Sequence, residues 1–396
     1  MLAPIEDILS DLRAGKMVIL VDDEDRENEG DLIMAAEKVT PEAINFMTRH
    51  TPGYLCLALT SADCDRLNLH PQTGLNTSLR GTAMAVSIDG HPKHGVGTGI
   101  SASDRARTVR IAVDPSCGPE DLVRPGHMVP LRARDGGVLV RTGQTEGSVD
   151  LMRLAGLRPA AVISEVCKED GEMARRPELE QFAVRYGLRI GSVEQIIQYR
   201  LERERLVQRL EPRSGTPIST DYGQFNLIAF RSLVDPLPHL ALCVGGVGDL
   251  DAAGHVIESD APTLVRMHRR NLLGDLFGES SNPTIRSLAG SLRMIQHAGR
   301  GALVYLRPQE TGDDIFSRLH SVLPLDFDTD VNRPDLLSPF GVAAKAVPMD
   351  RRDLGVGTQI LRDLGLTRIR LLSANPTRYH NLAAFGLEIV ERVGIT

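Results

Sequence analysis

The stretch Met17–Leu32 reads MVILVDDEDRENEGDL, an apolar run that passes directly into ten polar residues. The run MVILV has the length and character of a short buried strand. Behind it stand Asp22, Asp23, Glu24, Asp25, Arg26, Glu27, Asn28, Glu29, Gly30 and Asp31, seven carboxylates in ten positions. On charge alone such a run reads as a solvated turn. Two details argue for a site instead. The run sits at a strand end, where α/β proteins assemble their chemistry, and Gly30 lets the backbone turn back tightly. Clustered carboxylates are hard oxygen donors, suited to Mg²⁺ or Mn²⁺ rather than zinc.

Outward from this stretch, β-rich runs (YLCLALT, AMAVSI, HMVPLRA, AAVISEV) alternate with helical segments (PEAINFMTRH, ASDRARTVRIAV, VDLMRLAGL, ELEQFAVRYGL) to about residue 190. That alternation predicts a layered α/β domain. A helix is expected over Ser192–Leu210, with Val193, Ile197 and Leu201 at spacing four, ending before the turn-like EPRSGTP. Residues 206–217 are therefore read as a linker between a domain of residues 1–205 and a second α/β domain of residues 218–396. The length of 396 residues supports two cores, since single cores stop growing near about 250–300 residues.

Composition removes several functions. No apolar stretch reaches the roughly 20 residues of a membrane span, and the N-terminus has no secretory pattern, so a cytoplasmic location is expected. Five cysteines without a C-x-x-C pair argue against disulfides and a thiolate zinc site. A net charge of −7 and the absence of Trp speak against nucleic-acid binding, while leaving room for a small phosphorylated substrate in a local basic pocket.

Further candidates follow downstream. GVGTGISASDRA places glycines before a helix with Ser101 and Ser103 near its start, a phosphate cradle or an ordinary capped loop. The segment RPGHMVPLRARDGGVLVRTGQTEGSVDL contains His127, Arg141, Thr142, Gln144, Thr145 and Glu146, and AAVISEV puts Glu165 near a strand end. Each alone is more often structural than catalytic. The weight lies in their combination.

RENEGD, TGISASDRA, RPGH, GGVLVRTGQTEGSVDLMRLAGL and EDGEMAR, in this order, resemble 3,4-dihydroxy-2-butanone 4-phosphate synthase across residues 5–200. The resemblance implies a layered α-β-α domain that converts D-ribulose 5-phosphate to L-3,4-dihydroxy-2-butanone 4-phosphate and formate in riboflavin biosynthesis, acting as a homodimer. It implies that Glu27 binds the metal and that Arg26, Glu27, Asp31 and Glu165 contact the sugar. It makes Arg141, Thr142, Gly143, Gln144 and Thr145 the phosphate turn, and His127 with Glu165 the catalytic pair. One departure stands out: the family's GHTEA is GQTEG here, so the metal-binding His becomes Gln144, whose amide oxygen a hard cation accepts.

Residues 218–396 resemble GTP cyclohydrolase II through LVRMHRRNLLGDLFG, GRGALVYLR, DRRDLGVGTQILRDLG and RLLSANP. By that resemblance three zinc-binding cysteines become Asn271, Asn282 and Thr284, the stretch Gln309–Asp313 is altered, and Asp350 with Arg352 match the acid/base and nucleophile pair. Asn and Thr supply no soft anionic ligand, so zinc and GTP hydrolysis are expected to be absent. The leading reading is a Mg²⁺- or Mn²⁺-dependent synthase with a degenerate second domain. A bifunctional enzyme, or a non-catalytic regulatory or scaffold protein, are the alternatives.

Overall fold

The computed structural model describes residues 2–23, 26–78, 81–235, 237–271, 275, 287–307, 351–373 and 386–395. The chain divides into two compact units, Met1–Arg200 and Leu201–Thr396.

The first unit carries α1 (Ile5–Arg13), β1 (Val18–Val21), β2 (Gly30–Ala35), α2 (Pro41–His50), β3 (Cys56–Leu59), α3 (Ser61–Arg66) and β4 (Ile88–Gly90). It continues with α4 (Ala102–Val113), β5 (Leu122–Arg132), α5 (Gln144–Leu154), β6 (Ala161–Glu165), α6 (Arg176–Tyr186), β7 (Arg189–Ser192) and the start of α7 (Val193–Arg203). Its seven strands form one mixed sheet in the order β4-β5-β3-β6-β2-β1-β7.

All four residues of β1 are buried, which requires cover on both faces of the sheet. Ile19 belongs to the core shared with Ile44 of α2, Val109 of α4 and Leu179 of α6, whereas the next residue, Leu20, packs against Gly147 of α5. Helices thus lie on either side of the sheet, the α-β-α layering expected from the sequence. The helix α2 illustrates the local logic. Thr40 caps it by accepting the Ala43 N–H at 3.2 Å, and Pro41 occupies the first position, where no donor is needed. It buries Ile44 and Met47 completely, and truncating Ile44 to Ala would cost about 2–5 kcal/mol.

The second unit contains β8 (Val207–Arg209), β9 (Thr216–Thr220), β10 (Gly223–Ser232), β11 (His239–Val244) and β12 (Thr263–Arg269). After these come α8 (Ser287–Ala298), β13 (Gly301–Leu306), α9 (Arg351–Asp363), β14 (Arg368–Leu372) and β15 (Glu388–Val393). The strand order is β15-β14-β12-β13-β11-β10-β8, with β9 on β10. Phe225, Leu264, Ile295 and Leu303 lie at the centre of its core.

The structure differs from the sequence reading at two boundaries. The helix expected to run to Leu210 stops at Arg203, and Val207–Arg209 forms an edge strand paired with Phe230–Ser232 of β10. Part of the segment read as a linker therefore belongs to the second sheet. Gly30 is not in the left-handed region; the residue that turns the acidic loop is Asn28, at φ 55°. What Gly30 provides is space, because a Cβ there would lie 2.6 Å from Leu179 Cδ1. No described helix is long and apolar enough to cross a membrane.

Candidate active site

The acidic loop connects the antiparallel strands β1 and β2, whose pairing runs from Val18↔Ile33 to Val21↔Gly30. Asp22 organises it from within: its carboxylate accepts the backbone N–H of Glu27 at 3.1 Å and of Glu29 at 2.9 Å, and the Arg26 Nη1 at 2.8 Å. The same Nη1 is 2.6 Å from Glu27 Oε2 and 3.0 Å from Gln144 Oε1. Arg175, at the start of α6, supports the loop from outside by donating to Asn28 O at 2.7 Å. The carboxylate run therefore splits by role, with Asp22 holding the loop and Glu27 and Glu29 presented to a pocket.

Register builds the wall of that pocket. Asp31 of β2 stands directly opposite Glu165 of β6, and Ile163, two residues back on the same face, pairs with Cys56 of β3. Like charges directly opposed across strands are destabilising. Burial, reinforced by Glu165 and Glu27, pushes the Asp31 carboxyl well above the usual range. Partial desolvation and then Glu27 raise Glu165 in the same direction, and burial with Asp31 and Glu165 drives the Cys56 thiol up to about 12. An added cation would relieve this crowding. The donors are carboxylate and amide oxygens, and Arg26 Nη1, set among Asp22, Glu27 and Gln144, already marks a cation position between them. The set fits a hard divalent ion.

Across the pocket, α5 begins at Gln144 with Gly143 as its N-cap. A Cβ on Gly143 would lie 2.5 Å from Arg141 Nη1 and 3.1 Å from Arg26 Nη2, so both guanidinium groups converge on the helix start because this residue is glycine. Arg141 is aimed by the buried Glu146, whose Oε2 accepts its Nη1 at 2.6 Å. Thr145 lines the pocket as well, while Thr142 is exposed. Two cations beside a helix N-terminus suit a phosphate group.

His127 lies elsewhere. It lines a neighbouring pocket with Arg105, Thr48 and Gly53; Tyr54 lines both pockets, and Gly53 packs directly on the Glu165 backbone. Asp89 of β4 holds His127 twice, accepting its backbone N–H at 3.0 Å and its Nδ1 at 2.7 Å. Nε2 is the ring nitrogen that Asp89 does not engage. The structure thus gathers Arg26, Glu27, Asp31, Arg141, Gln144, Thr145 and Glu165 around one pocket and sets His127 in the adjoining one. The glycine loop is not a phosphate cradle: Asp104 takes the N–H groups of Gly97 and Gly99 at 3.0 and 3.2 Å, and Ser101 caps α4.

In the second unit, His268 Nε2 is 2.9 Å from Asp275 Oδ1, and the opposite oxygen accepts Tyr305 OH at 2.6 Å and the Asn271 N–H at 2.8 Å. Burial opposes ionisation of Asp275, yet the His268 hydrogen bond holds its carboxyl below the ordinary range. Of the positions implicated by resemblance, Asn282, Thr284, residues 309–313, Asp350 and the side chain of Arg352 lie outside the described residues.

The sequence reading missed Asp89 and Arg175 as supporting residues. The only signals were an acid inside the strand-like VSIDG and the Arg of EDGEMAR.

With this geometry, residues 6–199 match the 3,4-dihydroxy-2-butanone 4-phosphate synthase family, and residues 211–394 match GTP cyclohydrolase II. The chain belongs to the family of two-domain riboflavin biosynthesis proteins that joins these parts. The riboflavin biosynthesis protein RibBA of Aquifex aeolicus is 46% identical over 394 residues, covering 99% of this chain and 92% of that protein. Its counterpart in Mycobacteroides abscessus is 44% identical over 392 residues, covering 98% and 90%. A similar solved structure is RibBX, described as a two domain 3,4-dihydroxy-2-butanone 4-phosphate synthase from A. baumannii, with 38% identity, 98% and 99% coverage and a TM-score of 0.75.

Proposed function

We propose that the first unit converts D-ribulose 5-phosphate to L-3,4-dihydroxy-2-butanone 4-phosphate and formate. The observation that carries this is the cross-strand pair Asp31↔Glu165 facing the two arginines at the start of α5. In this reading Arg141, Arg26, Thr145 and the first N–H groups of α5 hold the substrate phosphate. Glu27 and the Gln144 amide oxygen hold a Mg²⁺-class ion, which supplies Lewis-acid stabilisation of negative charge on adjacent sugar oxygens. Glu165, whose carboxyl burial and then Glu27 raise above its ordinary range, serves as one proton-transfer group beside the sugar carbonyl. His127, held through Nδ1 by Asp89, serves through Nε2 as the second proton-transfer group. Formate release from ribulose 5-phosphate, measured with and without Mg²⁺, tests the assignment; no metal-dependent release would remove it.

The second unit is assigned no GTP cyclohydrolase II activity. Support comes from Asn271, a neutral amide where the resemblance places a zinc-binding thiolate, and from the two-domain A. baumannii protein being described as a 3,4-dihydroxy-2-butanone 4-phosphate synthase. The relatives named RibBA favour the bifunctional reading, and GTP-dependent formate release that a chelator stops would establish it.

A further inference from the structure

Away from the acidic pocket, three side chains of different chemistry converge beyond the end of the β4–β5 ladder. That ladder pairs Asp89 with Val123 and Gly90 with Leu122, and one step further the His91 N–H donates to Asp121 O at 2.7 Å. His94 closes the short turn that follows β4, with Gly95 in the left-handed region at φ 74°. Cys117 and Asp121 belong to the turn that leads into β5. One ligand atom from each of His94, Cys117 and Asp121 lies within 4.8 Å of the others, and His94 Nε2 is 2.7 Å from Asp121 Oδ1.

These donors are held in place rather than loosely gathered. The Gly118 N–H fixes Asp121 Oδ2 at 2.7 Å, which turns Oδ1 toward His94. Arg66 locks the turn that carries Cys117, donating to Asp114 O at 3.1 Å and Ala112 O at 2.7 Å as well as to Cys117 O. One imidazole, one thiol and one carboxylate form a mixed N, S and O set. Mg²⁺ and Ca²⁺ select oxygen alone, whereas zinc takes this mixture with a water in the remaining position.

We propose that His94, Cys117 and Asp121 form a binding site for a zinc-class divalent ion, distinct from the pocket of Glu27. The assignment does not depend on the proposed reaction. Lys93 Nζ now rests on Asp121 Oδ1 at 2.7 Å; its side chain is 46% exposed, so the ammonium swings into water when an ion takes its place. The bound ion would tie the loop after β4 to the turn before β5, and so brace the ladder that presents Asp89 and His127. A single thiolate drawn from ligands spread over residues 94–121 leaves no cysteine-pair pattern in the sequence, which is why composition does not reveal it.

The test uses the full-length chain, stripped of metal and titrated with Co²⁺, whose thiolate charge-transfer absorption reports a sulfur ligand. A saturable band that Zn²⁺ displaces is expected, absent in Cys117→Ser. His94→Gln should weaken binding by at least about tenfold, the scale seen when even supporting partners of a ligand are lost, and Lys93→Ala should tighten it. Glu27→Gln should leave the band unchanged. Circular dichroism of each metal-free variant checks folding. The proposal fails if no saturable band forms or if the band persists in Cys117→Ser. Should Cys117→Ser not fold, unchanged Co²⁺ affinity in both His94→Gln and Lys93→Ala overturns it.

Discussion

Gly143→Ala tests the proposed phosphate-holding role of the arginines. Gly143 has φ −99° and ψ 163°, extended backbone that alanine adopts without strain. The new methyl would meet Arg141 Nη1 at 2.5 Å, so that nitrogen must retreat by 3.4 − 2.5 = 0.9 Å to reach ordinary contact. It is the far end of a flexible side chain, and the fold can yield there. The site cannot yield as readily, because the same motion disturbs the 2.6 Å bond to Glu146 and the approach of Arg26 Nη2. Misplacing a charge-assisted hydrogen bond costs about 1.5–3 kcal/mol, or roughly ten- to a hundredfold in affinity. Steady-state formate release across ribulose 5-phosphate concentrations should show KM rising by about that factor, with kcat and the thermal midpoint changed far less. An unchanged KM would refute phosphate binding by Arg26 and Arg141.

Other substitutions probe the remaining parts. Glu27→Gln should abolish Mg²⁺-dependent turnover with little change in Tm, and Gln144→His should lower the Mn²⁺ concentration required, since imidazole suits Mn²⁺ better than Mg²⁺; a metal titration indifferent to both would place them outside coordination. His127→Asn and Glu165→Gln should each lower kcat by about 10²–10⁴ while substrate still binds, and effects confined to KM would reassign them to binding. Cys117→Ser protein should contain no stoichiometric zinc and release neither formate nor pyrophosphate from GTP; zinc with GTP turnover would overturn the reading of the second unit. Burial opposes ionisation of Asp11, but Lys16 and Arg189 outweigh it and hold the carboxyl low. A depressed folded value contributes stability above the unfolded pKa of about 3.9 and loses it as pH falls through the folded value. The denaturation gap between wild type and Asp11→Asn should therefore close as pH falls below the ordinary carboxylate range, and a gap independent of pH would count against the pairing.

The elements legible in the sequence are those encoded locally. β1, β3 and β6 show as apolar runs because both sheet faces are covered. β2 escaped because it starts at Gly30-Asp31, within the charge run, and β8 because its residues continue a helical period that only pairing with β10 interrupts. The site follows the same division. Glu27 and Arg141 stand in recognisable motifs, whereas Asp89 acts through His127, 38 residues away, and Arg175 reaches back 147 residues to Asn28. Nor could spacing show that His127 and Glu165 line adjoining pockets, since Gly53 and Tyr54 separate them only in three dimensions.

The pairing of Asp31 with Glu165 also limits how this protein can change in length. Side chains alternate between sheet faces, so one residue inserted or deleted within β2 would carry Asp31 away from Glu165 to the opposite face, among the apolar Ile44, Val109 and Leu179. The geometry of the candidate site and folding would fail together. Neutral drift in chain length should consequently collect at surface turns, and a strand of six residues whose every side chain is buried should be nearly incompressible in descendants of this gene.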